Sequence, residues 1–261
     1  MALGGLSRGE LRLSFKDVEQ PLKELLREFG NNPRHPRPEY PFWRLKNDQV
    51  WDVQPSTLAT NNSGDVSPKA LRDIEATGGF TTEITEWLLK DRSRLTAATR
   101  DVLEAYFPTS LHDDLLAAVG FKEQPQSTTK RARDPAFRDI VLKAYRARCA
   151  VCRQDIRIGS RTIGLDAAHI KWHQAGGSDE EKNGLCLCST HHKLFDLGAF
   201  TVSHDLCVLV SEHVTGSDGL HETLLAFHRS RILSPIRVEY APSRENLNWH
   251  RKVVFKEQAL P

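Results

Sequence analysis

The chain has 261 residues, of which 39% are hydrophobic and 27% charged, and its formal net charge is +2. That length exceeds one small module and suits two domains, and the apolar content excludes a disordered chain. No stretch approaches the ~20 uninterrupted apolar residues of a membrane helix, and the opening MALGGLSRGELRLSF does not read as a secretory signal, so a cytoplasmic setting is expected.

These averages conceal an asymmetry. All five cysteines lie between Cys149 and Cys207, and nine of the eleven histidines lie from His169 onward. Residues 1–130 carry 17 basic and 19 acidic side chains, whereas residues 131–261 carry 19 and 15. Within 121–161 the count is 11 basic to 4 acidic. The expected architecture is α+β in two domains: a mixed α/β domain over 1–121, a polar, basic linker over 122–134, and a second domain over 135–261.

In chain order, Phe15, Val18, Leu22, Leu25, Leu26 and Phe29 fall at helical spacing, with Ser14 placed to cap, Gly30 to stop and Pro21 to disturb the start. NNPRHPRPEYP holds four prolines in eleven residues and predicts a loop. FWRLKNDQVWDV predicts a hairpin around Asn47-Asp48. A short helix over 67–76, ended by Gly78-Gly79, precedes helices over 82–90, 93–105 and 110–119. In the second half, a helix over 135–148 starts at the Asp134-Pro135 pair. Strands are expected over 162–167 and 184–188, then a helix over 190–197, a hairpin pairing 200–202 with 207–210, and a helix over 220–227. Cys207 reads as core.

Cys149-x-x-Cys152 is a knuckle whose thiolates can grip one ion, and Cys188-x-x-His191 offers a second pair 36 residues on. Together they suit tetrahedral zinc of the Cys3His type. Cys186 competes with Cys188, which is preferred because it completes the three-residue step to His191.

Between the knuckles stand Asp166-Ala-Ala-His169, Asn183-Gly-Leu and His192-x-x-x-Asp196. The run DAAHIKWHQAGGSDEEKNGLCLCSTHHKLFDLGAF resembles the HNH endonucleases of the modified-DNA (McrA-like) type, and the likeness extends from about 133 to 255. The resemblance implies a ββα-metal unit, with His169 as the general base, Asn183 pinning the loop that orients it, and His192 binding a catalytic divalent ion, Mg or Mn. Hydrolysis of a phosphodiester needs such a base and such a cation. Many of these enzymes carry an acidic ligand directly before the first histidine, where this chain has Ala168. Asp166 and Asp196 are the alternatives for that oxygen. His173, His204, His213, His221 and His228 form no constellation. The basic segment from Lys122 to Arg161 reads as a clamp on a nucleic-acid backbone.

HPRPEYPFWRLKNDQVWDV, the Gly-Gly-Phe at 78–80 and YFPTSLHDDLLAAVGF resemble the sulfur-binding domains fused to HNH nucleases. That likeness implies recognition of phosphorothioate DNA, with Tyr40 and Pro41 against the sulfur and Lys69 or Arg72 on the phosphate. By the same likeness the chain begins at Met1 where a DNA-contacting helix of the family would be ending. The expectation is a metal-dependent endonuclease restricting phosphorothioate-modified duplex DNA, working as a homodimer because two strands need two active centres. Three rivals stand: an HNH nuclease reading methylated cytosine or no mark, an inactive zinc-stabilised DNA-binding protein, and an RNA-processing HNH enzyme.

Overall fold

The computed structural model describes residues 1–30, 35–56, 58–121, 135–256 and 258–261. The expected linker, the Asp134 cap and part of the proline-rich stretch lie outside them. The chain divides into two compact units, Met1–Leu103 with His112–Gln126 and Glu104–Leu111 with Ser127–Pro261. No helix among the described residues is long and apolar enough to cross a membrane.

The first unit starts with α1 (Ala2–Ser7), β1 (Leu13–Ser14) and α2 (Phe15–Phe29). The periodicity located α2 correctly: Ser14 and Gly30 stand at its ends and Pro21 is tolerated inside it. Next come α3 (Glu39–Arg44), a 3-10 turn (Leu45–Asp48) and β2 (Trp51–Gln54). The expected hairpin around Asn47-Asp48 is therefore absent, and Tyr40 and Pro41 sit in the first turn of a helix rather than in a loop. Pro38 stands at the N-cap position and Pro41 in that first turn, where a missing N–H leaves no helical hydrogen bond unmade.

After α4 (Pro68–Asp73), capped by the Ser67 hydroxyl, β3 (Thr77–Phe80) pairs antiparallel with both β1 and β2. Gly78-Gly79 therefore belong to a strand and do not end a helix. A side chain at Gly78 would come within 2.4 Å of the Trp51 ring. Phe42 packs edge-on against Phe15 and Trp51, whose indole N–H donates to the Phe42 carbonyl. α5 (Thr82–Leu89), α6 (Arg92–Tyr106) and α7 (His112–Ala118) follow close to their expected spans.

Among the described residues, the longer segment of the second unit opens on α8 (Pro135–Ala144). It stops short of Arg148 because Arg146 and Ala147 take positive φ. β4 (Arg157–Ile158) and β5 (Arg161–Thr162) form a small hairpin. The main hairpin joins β6 (Leu165–His169) to β7 (Gly184–Cys188), and α9 (Ser189–Asp196) follows at once. β6 thus starts later than expected, residue 162 being part of β5. β8 (Phe200–Val202) pairs with β9 (Val208–Val210), α10 (Asp218–Thr223) follows, and α11 (Arg244–Val253) closes the unit. Cys207 lies half-buried beside β9 rather than in the core.

α11 secures α9 through His250, which is fully buried. Its Nε2–H donates to the Phe195 carbonyl at 3.1 Å, Nδ1 accepts from the Thr201 hydroxyl at 2.9 Å, and its ring stacks 3.7 Å from that of Phe195. Burial pushes His250 down to about 4. From pH 6.5 down to about 4 the unfolded chain therefore takes up a proton that the folded chain refuses, and stability falls as pH falls. The slope is about 1.4 kcal/mol per pH unit in that window. Thermal melts of the full chain between pH 7 and 4.5 should show this loss, and His250→Gln, which cannot titrate, should flatten it while lowering the melting temperature at pH 7.

Candidate functional site

Register sets the site. In the β6–β7 hairpin, Leu165 faces Cys188 at one end and His169 faces Gly184 at the other. At the first end, Cys149, Cys152, Cys188 and His191 bring one ligand atom each to within 4.8 Å of one another. Cys188 Sγ stands 3.0 Å and Cys149 Sγ 3.8 Å from His191 Nδ1, and Cys152 Sγ lies 3.9 Å from Cys188 Sγ. A tetrahedral zinc ion requires ligand edges of roughly 3.5–3.8 Å, so the donor set and its spacing fit that metal. His191 Nε2 donates to the Thr223 carbonyl at 2.9 Å, which turns the Nδ1 lone pair toward the thiolates. Cys186, fully buried on β7, is not among the four residues whose ligand atoms converge.

At the other end, Gly184 allows α8 to approach, since a Cβ there would lie 2.3 Å from Val141 Cγ2. That approach sets the Phe137 ring on His169, 4.0 Å away and nearly parallel. Burial lowers the pKa of His169, opposed by a hydrogen bond to Asp179. The imidazole is therefore neutral near pH 7 and able to take a proton. Asp179 Oδ1 stands 2.7 Å from His169 Nε2 and Oδ2 3.9 Å from His173 Nε2. His173 thus does join a constellation.

Asn183 is wholly buried and its amide is spent on backbone. Its Oδ1 accepts from Lys171 N at 2.8 Å, and Nδ2 donates to the carbonyls of Lys171 and Ser178 at 2.9 Å each. The intervening loop is drawn so tight that a Cβ on Gly177 would lie 1.9 Å from the Lys171 carbonyl oxygen.

His192 lies on α9, nearly buried between two carboxylates. Nε2 is 3.2 Å from Asp196, one helical turn on, and Nδ1 is 3.8 Å from Asp166. The two aspartates thus flank opposite nitrogens of one ring. Asp196 is buried and accepts from the Ser110 hydroxyl. Asp166 also lies 4.0 Å from Arg138.

In the first unit, Tyr40 is half-buried and Pro41 exposed. The Arg44 guanidinium lies 4.0 Å from the Tyr40 ring centroid and that of Arg37 5.1 Å, with Arg37 also donating to the Tyr40 hydroxyl at 2.8 Å. Two 2.7 Å bonds to buried Asp65 fix Arg44. Of the two alternatives for the cation on the phosphate, Arg72 pairs with Glu19 at 2.7 Å and Lys69 is exposed on α4. Arg37, Arg44 and Asp179 were missed from the sequence. For Arg44 a signal existed, because it stands four residues after Tyr40 on what proves to be a helix.

Residues 1–124 match the family described as ScoMcrA-like, DNA sulfur-binding domain, and residues 149–203 match that described as HNH endonuclease. No curated protein matches the chain. Among solved structures, a modification-dependent TagI restriction endonuclease shares 25% identity with a TM-score of 0.34, over 47% of this chain and 38% of that one. The sulfur-binding domain of ScoMcrA, complexed with phosphorothioated DNA, shares 18% with a TM-score of 0.39, over 46% of this chain and 78% of that one. The corresponding domain of SprMcrA, also in complex with phosphorothioated DNA, shares 23% with a TM-score of 0.38, over 46% and 76%.

The geometry of the Cys3His cluster predicts that Cys188→Ala loses bound zinc, measured by atomic absorption on the purified chain. Its second unit should melt at markedly lower temperature, because structural metal contributes about 10 kcal/mol or more to such folds. Cys186→Ala should keep its zinc and lose stability only through the cavity.

Proposed function

We propose that this chain, which joins a DNA sulfur-binding domain of the ScoMcrA type to an HNH endonuclease domain, hydrolyses phosphodiester bonds in duplex DNA bearing phosphorothioate links. The observation that carries the reading is the placement of His169, Asn183, His192 and Asp196 on one hairpin and the helix that follows it. His192 Nε2 and Asp196 are the pair that would hold Mg or Mn, a donor set of one imidazole and one carboxylate that leaves positions for water and phosphate. Such an ion supplies positive charge against a phosphate gaining negative charge. Asp166 stands at the other nitrogen, so it serves as a partner that orients His192.

His169 takes a proton from the attacking water, whose oxygen bonds to phosphorus as one P–O ester bond breaks. Asn183 touches no substrate in this scheme. It holds the loop that carries Asp179 against His169. The exposed Arg153, Arg157 and Arg161, on and beside the β4–β5 hairpin, supply charge for the DNA backbone.

For the mark, sulfur in place of a phosphate oxygen is larger and less strongly hydrated, so an aromatic and proline surface accepts it more readily than oxygen. Tyr40 and Pro41 offer that surface. Arg37 and Arg44 supply the adjacent charge, in place of the Lys69 or Arg72 expected from the sequence. Docking of this unit would raise the concentration of the nuclease unit on nearby duplex.

The test is cleavage with Mn of three duplexes of one sequence: plain, cytosine-methylated and phosphorothioate. Cutting confined to the phosphorothioate duplex, reduced about 10²-fold or more in His169→Ala, is the expected result. Tyr40→Ala should lower cutting of the phosphorothioate duplex to the background level of the other two. Equal cutting of all three by the unaltered chain would overturn the sulfur reading, and no cutting at all, with zinc retained, would overturn the nuclease reading.

A further inference from the structure

We infer that Asp179 is the positioning residue of this hydrolysis, holding His169 in the tautomer whose Nδ1 bears the free lone pair, so that Nδ1 takes the proton from water. The inference deepens the reading of His169 as base and rests on it. An ionised carboxylate has acceptors and no donor. With Asp179 Oδ1 2.7 Å from Nε2, a neutral His169 must carry its proton on Nε2.

The ring cannot turn freely to exchange the two nitrogens. Phe137 covers one face at 4.0 Å, and His173 stands edge-on with its centroid 6.0 Å away. Among the described residues, Asp179 is the hydrogen-bond partner of Nε2 and none bonds to Nδ1.

Asp179 is itself held in place from the side of Asn183. The Asn183 amide fixes the carbonyl of Ser178, the residue just before Asp179, and both backbone groups of Lys171, two residues beyond His169. Loop closure, not local sequence, therefore brings carboxylate and imidazole together. In the reaction, the water oxygen forms a bond to phosphorus and its proton goes to Nδ1. The P–O ester bond breaks with its electrons leaving on the ester oxygen. His169 is then a cation with a proton on each nitrogen, and the new charge lies directly against Asp179.

The experiment uses the full chain labelled with 15N-histidine, with His169→Gln to identify the His169 signals. The 15N–1H correlation spectrum of the imidazole should show the Nε2–H tautomer. In Asp179→Ala the signal should move to a mixture of tautomers. On the phosphorothioate duplex with Mn, kcat should fall about 10²-fold with KM nearly unchanged, the signature of a contact that acts on the chemical step. Asp179→Asn, whose amide oxygen still accepts from Nε2–H, should keep the tautomer and recover part of the loss.

Zinc content and melting temperature establish that each variant is folded. Should the alanine variant not fold, Asp179→Ser, too short to reach Nε2, gives the same comparison. An unchanged Nε2–H tautomer in a folded Asp179→Ala would overturn the inference, as would unchanged kcat in a chain that His169→Ala inactivates. If the unaltered chain cuts no duplex, the nuclease reading fails, while the spectrum still decides whether Asp179 sets the tautomer.

Discussion

The Cys3His clasp is the constraint on which the second unit depends. Its two halves come from the turn after α8 and from the junction of β7 with α9. Without a shared ion, three sulfurs and an imidazole nitrogen packed within 4.8 Å of one another would have to be desolvated together for little return. With one, the same atoms fix where α8 ends, where β7 ends and how α9 begins. The register that faces Leu165 with Cys188 also faces His169 with Gly184, so the clasp at one end of the hairpin fixes the position of the imidazole at the other.

Buried polar groups carry that order onward. Asn183 satisfies its amide on backbone atoms of Lys171 and Ser178, and His250 satisfies both ring nitrogens between Thr201 and Phe195. Each costs desolvation and returns specificity, because a loop or helix displaced by an ångström would leave a buried donor or acceptor unmade. The two act on different parts of the site. Asn183 governs the loop beside His169, whereas His250 governs the helix that carries His192 and Asp196.

Much of this was legible in the sequence. The span of α2 followed from periodicity, strands were expected where β7 and β8 form, and the knuckle spacing selected Cys188 over Cys186. The order His169, Asn183, His192 marked the residues that the hairpin and helix bring together. What escaped reading depends on tertiary structure. The segment Glu39–Asp48 has the aromatic and proline content of a strand and loop, yet prolines at the helix start, where no N–H is missed, let it coil, and only β2 was left to pair. Asp179 is one acidic residue in the run Ser-Asp-Glu-Glu, and nothing local distinguishes it from its neighbours. Its role exists only once Asn183 has folded the loop back. Arg44 was passed over because Tyr40 was assigned to a loop, where four residues mean no proximity.

The adjacency of His191 and His192 has a consequence for how this segment can change over evolutionary time. Successive helical residues point ~100° apart, so one imidazole turns into the clasp and the next toward Asp196 only because α9 starts immediately after Cys188. Inserting or deleting a single residue between Cys188 and Asp196 would rotate every later side chain by that angle. An insertion before His192 would swing it, with Asp196, away from Asp166, and one after it would turn Asp196 away from His192, even though every functional residue was still present. Substitution, by contrast, is cheap at Ser189 and Thr190, which face solvent. The segment is therefore free in composition at those two positions and fixed in length, a phase relation that links a structural ion to the chemistry without any contact between them.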